Sequence, residues 1–296
     1  MPPLRILILT TLAMLAFAGN SLLCRAALDH TRIDAASFTT IRLLSGALAL
    51  WLVVRWRESK HAGAGNWMSA FALFAYAAGF SFAYLHLPAA TGALLLFGAV
   101  QATMIGHGLW RGERLALRQW IGLLLALAGL VALLLPGLAA PPLASAGLML
   151  CAGIAWGAYS LRGKGAGDPT RVTAGNFLRA VPFALALSLL MSGGATFDAA
   201  GIGYAVASGA LTSGLGYAIW YAALPTLKST HAATVQLSVP LIAAVGAVMF
   251  LGETVTTRLI AASVAIVGGI ALVILGQGIR ASSTPGRGEG RRGAQR

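Results

Sequence analysis

The residues most able to do chemistry in this chain lie inside long apolar runs, at helical spacing. Tyr76, Phe80 and Tyr84 recur at i, i+4 and i+8, one stripe of one helix. Ser213, Tyr217 and Tyr221 repeat the pattern 137 residues later. A tyrosine hydroxyl surrounded by hydrocarbon needs a partner, and a wet cavity supplies one. Matching aromatic faces of this kind suit the apolar part of a small solute. Core packing is the competing use, and for Tyr84 and Tyr221, near the ends of their runs, an interfacial aromatic belt is an equal alternative. Phe97 with Gln101, Gln236 with Ser238 just before Pro240, Asn20 beside Ser21, and Trp156 with Tyr159 complete the candidate binding set. Gln101 serves either a substrate or inter-helix bonding. Pro240 lacks a backbone donor and frees a carbonyl one turn back, for a kink or a contact. Trp220 is turned about 100° from Tyr221, so lipid contact suits it equally.

Two cations are embedded in such runs. Arg42 and Arg179 can each bind a substrate carboxylate, or else snorkel to headgroups or bond carbonyl ends. Their related placement toward opposite membrane faces favours the structural use. The acids show the reverse pattern: Asp29, Asp34, Glu58, Glu113, Asp168, Asp198, Glu253 and Glu289 all fall in connections, at run ends or in the tail. No carboxylate is placed for a proton or sodium relay, and His86 and His107 lie away from mid-run. The sequence has no phosphate-binding loop, and Leu211-Thr212-Ser213-Gly214 lacks the first glycine of a serine-protease motif. Cys24 and Cys151 form no ligand spacing. The expectation is a non-enzymatic protein without cofactor or metal, working by facilitated exchange, with proton coupling as the alternative.

These residues are positioned by membrane-spanning helices. Of 296 residues 58% are hydrophobic and 10% charged, too few charges to cover a soluble domain. Ten runs of about spanning length are expected, roughly 6–28, 35–54, 66–87, 89–110, 115–136, 143–162, 171–192, 199–223, 230–252 and 256–278. Arg5 followed by an apolar run and Ala16-Phe17-Ala18 has the outline of a signal peptide, but the run continues to Leu28 and reads as a span. The net charge of +13 is a topological signal rather than a nucleic-acid one. With a cytoplasmic N-terminus, 16 of the 21 Lys and Arg lie inside and only Arg25, Arg32 and Arg258 outside, which places both termini in the cytoplasm of an inner-membrane protein.

The chain also resembles itself. A shift of 137 aligns Arg42 with Arg179 and Tyr84…Pro88 with Tyr221…Pro225; a shift of 140 then aligns Gly112-Glu113 with Gly252-Glu253 and Arg118 with Arg258. Each half holds five spans, an odd number, so the halves cross the membrane in opposite senses. This gives an all-α integral membrane fold of ten helices in two inverted repeats, 1–140 and 141–279, with a basic, disordered cytoplasmic tail at 280–296. Inverted repeats are the architecture of alternating-access transporters. Gly122, Ala126 and Gly129, with Gly268-Gly269, permit close helix approach, within the fold or between two copies.

The five-plus-five pattern, the two Gly-Glu pairs, Val239-Pro240 and Trp156-Gly157 resemble the EamA-type carriers of the drug/metabolite transporter superfamily over about residues 5–278. The first half departs from the family pattern, with Val100-Gln101 in place of the usual proline and Ala18-Gly19 in place of Trp-Gly. The chain is most similar to the amino acid exporter branch, aromatic amino acid exporters included. That resemblance implies export of amino acids, with drugs, nucleobases or other metabolites as the alternative cargo and a non-transporting scaffold or receptor as the alternative class. The implied partners are the small-molecule substrate and membrane lipid, with no nucleic acid, in a monomer or homodimer.

Overall fold

The computed structural model describes residues 3–56, 65–112, 114–135, 140–163, 168–223, 227 and 235–282, with residues 3 and 275–282 by backbone alone. Glu58, Glu113, Glu289, Pro225 and the tail from 283 lie outside the described residues, as do many of the cations used for the topology. All regular elements described are helical. They are α1 (Pro3–His30), α2 (Ala35–Trp56), α3 (Trp67–Tyr84), α4 (Ala89–Trp110), α5 (Leu117–Leu134), α6 (Leu143–Arg162), α7 (Pro169–Leu190), α8 (Ala199–Ala207), a π-helical segment (Ser208–Leu215), α9 (Gly216–Ala223), α10 (Ser238–Leu251) and α11 (Thr257–Ser282), with a short 3-10 turn at Ser192–Gly194.

Eight of these helices, α1–α7 and α11, are long and apolar enough to cross a membrane, and α10 is a shorter apolar helix. The expected eighth span is a continuous helical run in three registers: nine residues in α8, eight in the π-helical segment and eight in α9. The outward faces carry large apolar residues. Leu48, Leu124, Val245 and Val264 are each more than half exposed, a surface that suits lipid. The protein is a multi-pass membrane protein.

The scarce acids are used at helix starts. In hydrocarbon the free N–H groups of a first turn have no water to bond. Asp34 accepts from Ala36 N (3.0 Å) and Ser37 N (2.9 Å) at α2. Asp168 caps α7 ahead of Pro169, Asp198 caps α8, and Asn66 caps α3. Asp34 also accepts from Thr196 N (3.0 Å), tying the α1–α2 turn to the segment before α8. Burial by itself raises the Asp34 carboxyl. The bonds from Ser37, Thr196 and Ala36 outweigh it and hold the group below its ordinary value. Because the folded value is depressed, the stabilisation is complete above the ordinary carboxylate range and is lost as pH falls through the folded value. Asp34→Asn keeps the Oδ1 cap but loses the Oδ2 acceptor of Thr196 N, and is expected to cost about 1 kcal/mol at neutral pH. Thermal unfolding in detergent between pH 3 and 7 checks this: the difference from wild type should vanish at the acid end.

Two packing units position the site. The first pairs α5 with α11 at glycines, where a Cβ on Gly122 or on Gly269 would overlap the other's carbonyl oxygen. The expected small-residue run therefore packs within the fold. Arg258 secures the same pair by donating to the Ala132 (2.8 Å) and Leu135 carbonyls at the end of α5. In the second unit α2 lies against α7 and the π-helical segment, α3 against α6 and α7, α1 against α9, α10 and the π-helical segment, and α4 against α6 and α10. The aromatic stripes meet in its centre.

Candidate functional site

A small cavity of about 20 Å³, room for about one water molecule, lies where α1, α3, α4, α6, the π-helical segment and α9 converge. Its walls are mostly rings. Trp156 stands between Tyr76 and Tyr217, with ring centroids 4.9 Å away on either side. Phe80 and Phe97 continue the wall, and Phe17 packs edge-on to Tyr217 at 5.8 Å. Leu96, Asn20 and Thr212 complete the lining.

One hydrogen-bonded chain crosses this wall. Asn20 Oδ1 accepts from the hydroxyls of Ser208 (2.7 Å) and Thr212 (3.3 Å), which fixes its amide, and its Nδ2 donates to the Tyr76 hydroxyl at 3.2 Å. The same hydroxyl accepts from Arg42 Nη2 at 3.0 Å, and Arg42 Nε donates to Ser213 Oγ at 3.3 Å. The Arg42 guanidinium also lies over the Tyr76 and Phe80 rings, 5.1 and 4.9 Å from their centroids. The π-helical register makes this possible. In an α-helix position 213 points about 140° away from 208. Bonding at i→i+5 brings 208, 212 and 213 to one side, where Ser208 and Thr212 meet Asn20 and Ser213 meets Arg42. The segment's composition, Ser-Gly-Ala-Leu-Thr-Ser-Gly-Leu, lets α2 approach it closely.

Of the residues expected at a binding site, Asn20, Tyr76, Phe80, Phe97, Trp156 and Tyr217 line the cavity. Ser213 joins it through Arg42. Tyr84 is fully buried and its hydroxyl donates to Ala89 O at 3.3 Å, so it is neither wall nor belt. Gln101 is buried one turn beyond Phe97, off the wall, and its Nε2 has no partner. Tyr159 stacks behind Trp156 at 5.4 Å and meets Asn176 at 3.5 Å. Tyr221 is half-buried near Gly163. Gln236 and Ser238 sit at the start of α10, where Ser238 Oγ donates to Val235 O at 2.7 Å; neither lines the cavity.

The two embedded cations part company. Arg42 is 1% exposed and reaches neither headgroup level nor a carbonyl end. Arg179 bonds Gly175 O at 3.0 Å and faces a groove between α2 and α7. Trp220 is buried against Phe17, at 6.1 Å, because α1 crosses the face that a lone helix would give to lipid. Phe17, Leu96, Ser208 and Thr212 were not legible as site residues. The polarity of Ser208 and Thr212, four apart and adjoining Ser213, is the signal that marks them.

Beyond the cavity the Gly-Glu pair has a physical role. Gly252, at φ +64°, ends α10 in a left-handed turn. That turn carries Glu253 to the start of α4, where it accepts from Ala89 N (2.7 Å) and Ala90 N (3.5 Å) and lies 3.7 Å from Arg25. Arg25 also pairs with Asp29 at 2.9 Å and donates to the Tyr84 carbonyl at the end of α3. At the other end of α3, Arg162 donates to Ser69 (3.2 Å) and Asn66 (3.4 Å). Each end of α3 is thus tied by an arginine to the end of another helix.

Comparison with known proteins agrees with this architecture. The EamA-like transporter family matches the chain twice, over residues 4–135 and 143–275. An uncharacterized protein of Pseudomonas aeruginosa is 58% identical over 275 residues, covering 93% of this chain and 96% of that one. A crystal structure 18% identical in sequence superposes with a TM-score of 0.65 over 90% of this chain and 96% of its own, a likeness of fold alone. With the family matched over nearly the whole chain, this protein belongs to the EamA-like transporter family.

Proposed function

We propose that the protein exports amino acids across the inner membrane by alternating access. In this reading it has ten spans in two inverted halves, residues 1–140 and 141–279, with both termini in the cytoplasm. The observation that carries the reading is the central cavity, which combines aromatic walls with one polar chain at the junction of helices from both halves. As this small cavity widens, its rings take the apolar body of the substrate and Asn20, on its lining, serves the polar end, with Gln101 and Ser213 outside the lining as further polar groups. Two further features support the two-half architecture. Exchanging the halves turns the contacts of α1 with α9 and α10 into those of α6 with α3 and α4. Gly112 and Gly252, 140 residues apart, both have positive φ. The ties at the two ends of α3 are the contacts that alternating access must release in turn.

Purified protein in liposomes is expected to take up labelled amino acids without ATP, and Tyr217→Ala to reduce that uptake at least about tenfold by removing an aromatic anchor. Uptake no faster than in protein-free liposomes across a broad amino-acid panel defeats the substrate assignment. Competition by drugs and nucleobases in the same liposomes tests the alternative cargo.

A further inference from the structure

Among the described residues, Arg42 is the one charged side chain that is fully buried. The ion pairs found there join Arg25 to Asp29 and Glu253, and Asp29 to His30; no carboxylate of the described residues lies within 4 Å of Arg42. A guanidinium sealed in this way ordinarily has a fixed counter-charge, because an unpaired buried ion is costly. Here it has two neutral acceptors, Ser213 and Tyr76, and the faces of two rings.

Buried donors outnumber acceptors around Arg42. Arg42 Nη1 is buried and has no acceptor. The Tyr76 hydroxyl accepts from both Arg42 and Asn20, which occupies its two lone pairs and leaves its own proton without an acceptor. Gln101 Nε2, one turn beyond the cavity residue Phe97, is a third buried donor without a partner. On the acceptor side, Asn20 Oδ1 is already taken by Ser208 and Thr212. On the Asn20–Tyr76 side of the cavity, therefore, the Tyr76 O–H and, behind it, Arg42 Nη1 with its positive charge lack an acceptor, while the amide acceptor of Asn20 is in use. The group that completes such a set is an acceptor-only anion, and a carboxylate has the right number of lone pairs. The related cation Arg179 is the internal contrast, since it bonds a backbone carbonyl outside the cavity.

We propose that Arg42 is the anchor of the substrate's carboxylate. The Tyr76 O–H donates alongside it, and the aromatic wall of Trp156, Tyr217 and Phe80 receives an apolar side chain. The ligand class is a small carboxylate with an apolar or aromatic body, amino acids included. This deepens the proposed transport reading and rests on it.

The test compares one skeleton in three forms, using the full-length protein: L-phenylalanine, L-phenylalaninamide and phenethylamine, with the leucine series in parallel. Each is measured by thermal stabilisation in detergent and by uptake or competition in liposomes. Wild type is expected to bind the acids at least tenfold more tightly than the amides and amines. Arg42→Lys should keep a preference for the acids, and Arg42→Gln should reduce it below twofold. Amides or amines that bind wild-type protein as well as the acids overturn the role of Arg42 and leave transport standing. That comparison holds even if a variant fails to fold. No stabilisation and no uptake with any form overturns both readings.

Discussion

Gly209→Ala is expected to lower the apparent unfolding temperature sharply and to remove transport, whereas Gly203→Ala, earlier in the same helical run, is expected to do neither. Added to an ordinary helix position, the alanine methyl stabilises by up to about 1 kcal/mol relative to glycine. Gly203 is such a position, since a methyl there would have no neighbour within 4 Å. At Gly209 a Cβ would overlap Arg42 O and Ser45 Oγ and lie 2.8 Å from Arg42 C. Two of those three atoms are backbone and cannot rotate away, so α2 as a whole must retreat. Overpacking of this kind costs about 1–3 kcal/mol or more. The retreat also carries Arg42 away from Ser213, now at 3.3 Å, and disturbs the hydrogen-bonded chain through Tyr76. Thermal unfolding of both variants in one detergent, together with liposome uptake, measures the contrast. Equal stability of the two would show that α2 and the π-helical segment do not cross as closely as described.

This crossing also marks where the sequence stops being legible. Hydropathy and the positions of Gly, Pro and charge locate most helices to within a few residues, because a span in lipid must be apolar and must close its own backbone bonds. The stripe Tyr76, Phe80, Tyr84 is legible for the same reason, and two of its three members line the cavity. The eighth span resists such a reading. Periodicity of 3.6 assigns Ser213 and Tyr217 to one stripe, but the register change at Ser208–Leu215 turns Ser213 toward Arg42 and Thr212 toward Asn20. No single-helix periodicity contains that change, which depends on what packs alongside. Trp220 illustrates the same limit, since its burial is decided by Phe17 of α1. The acids are a different case. Their absence from mid-span is plain in the sequence, while their use as helix caps at Asp34, Asp168 and Asp198 follows only from the backbone around them.

If Arg42 holds a substrate carboxylate, Asn20→Asp is expected to abolish transport of amino acids without unfolding the protein. The substitution keeps the shape of the side chain. Ser208 and Thr212 already donate to Asn20 Oδ1, and both can donate equally to a carboxylate oxygen. The other oxygen replaces Nδ2, 3.2 Å from the Tyr76 hydroxyl, whose proton is free to turn toward it. Arg42, 3.0 Å beyond that hydroxyl, thereby gains a counter-charge within the protein. Stability should be unchanged or higher, since the buried guanidinium is no longer without a charged partner. Transport moves the opposite way. An incoming carboxylate about 6 Å from the new one meets a repulsion of about 3 kcal/mol at an effective dielectric constant of 20, which is a loss of about 100-fold. A cationic amine of the same skeleton gains affinity by the same argument, so the preference for acid over amine should invert. Asn20→Leu is the control: it leaves the Ser208 hydroxyl without its acceptor, while Thr212 keeps the Ser208 carbonyl at 2.7 Å, and it is expected to cost about 1–3 kcal/mol of stability. A folded Asn20→Asp variant that transports phenylalanine at the wild-type rate places the substrate's carboxylate somewhere other than the Tyr76–Arg42 end of the cavity.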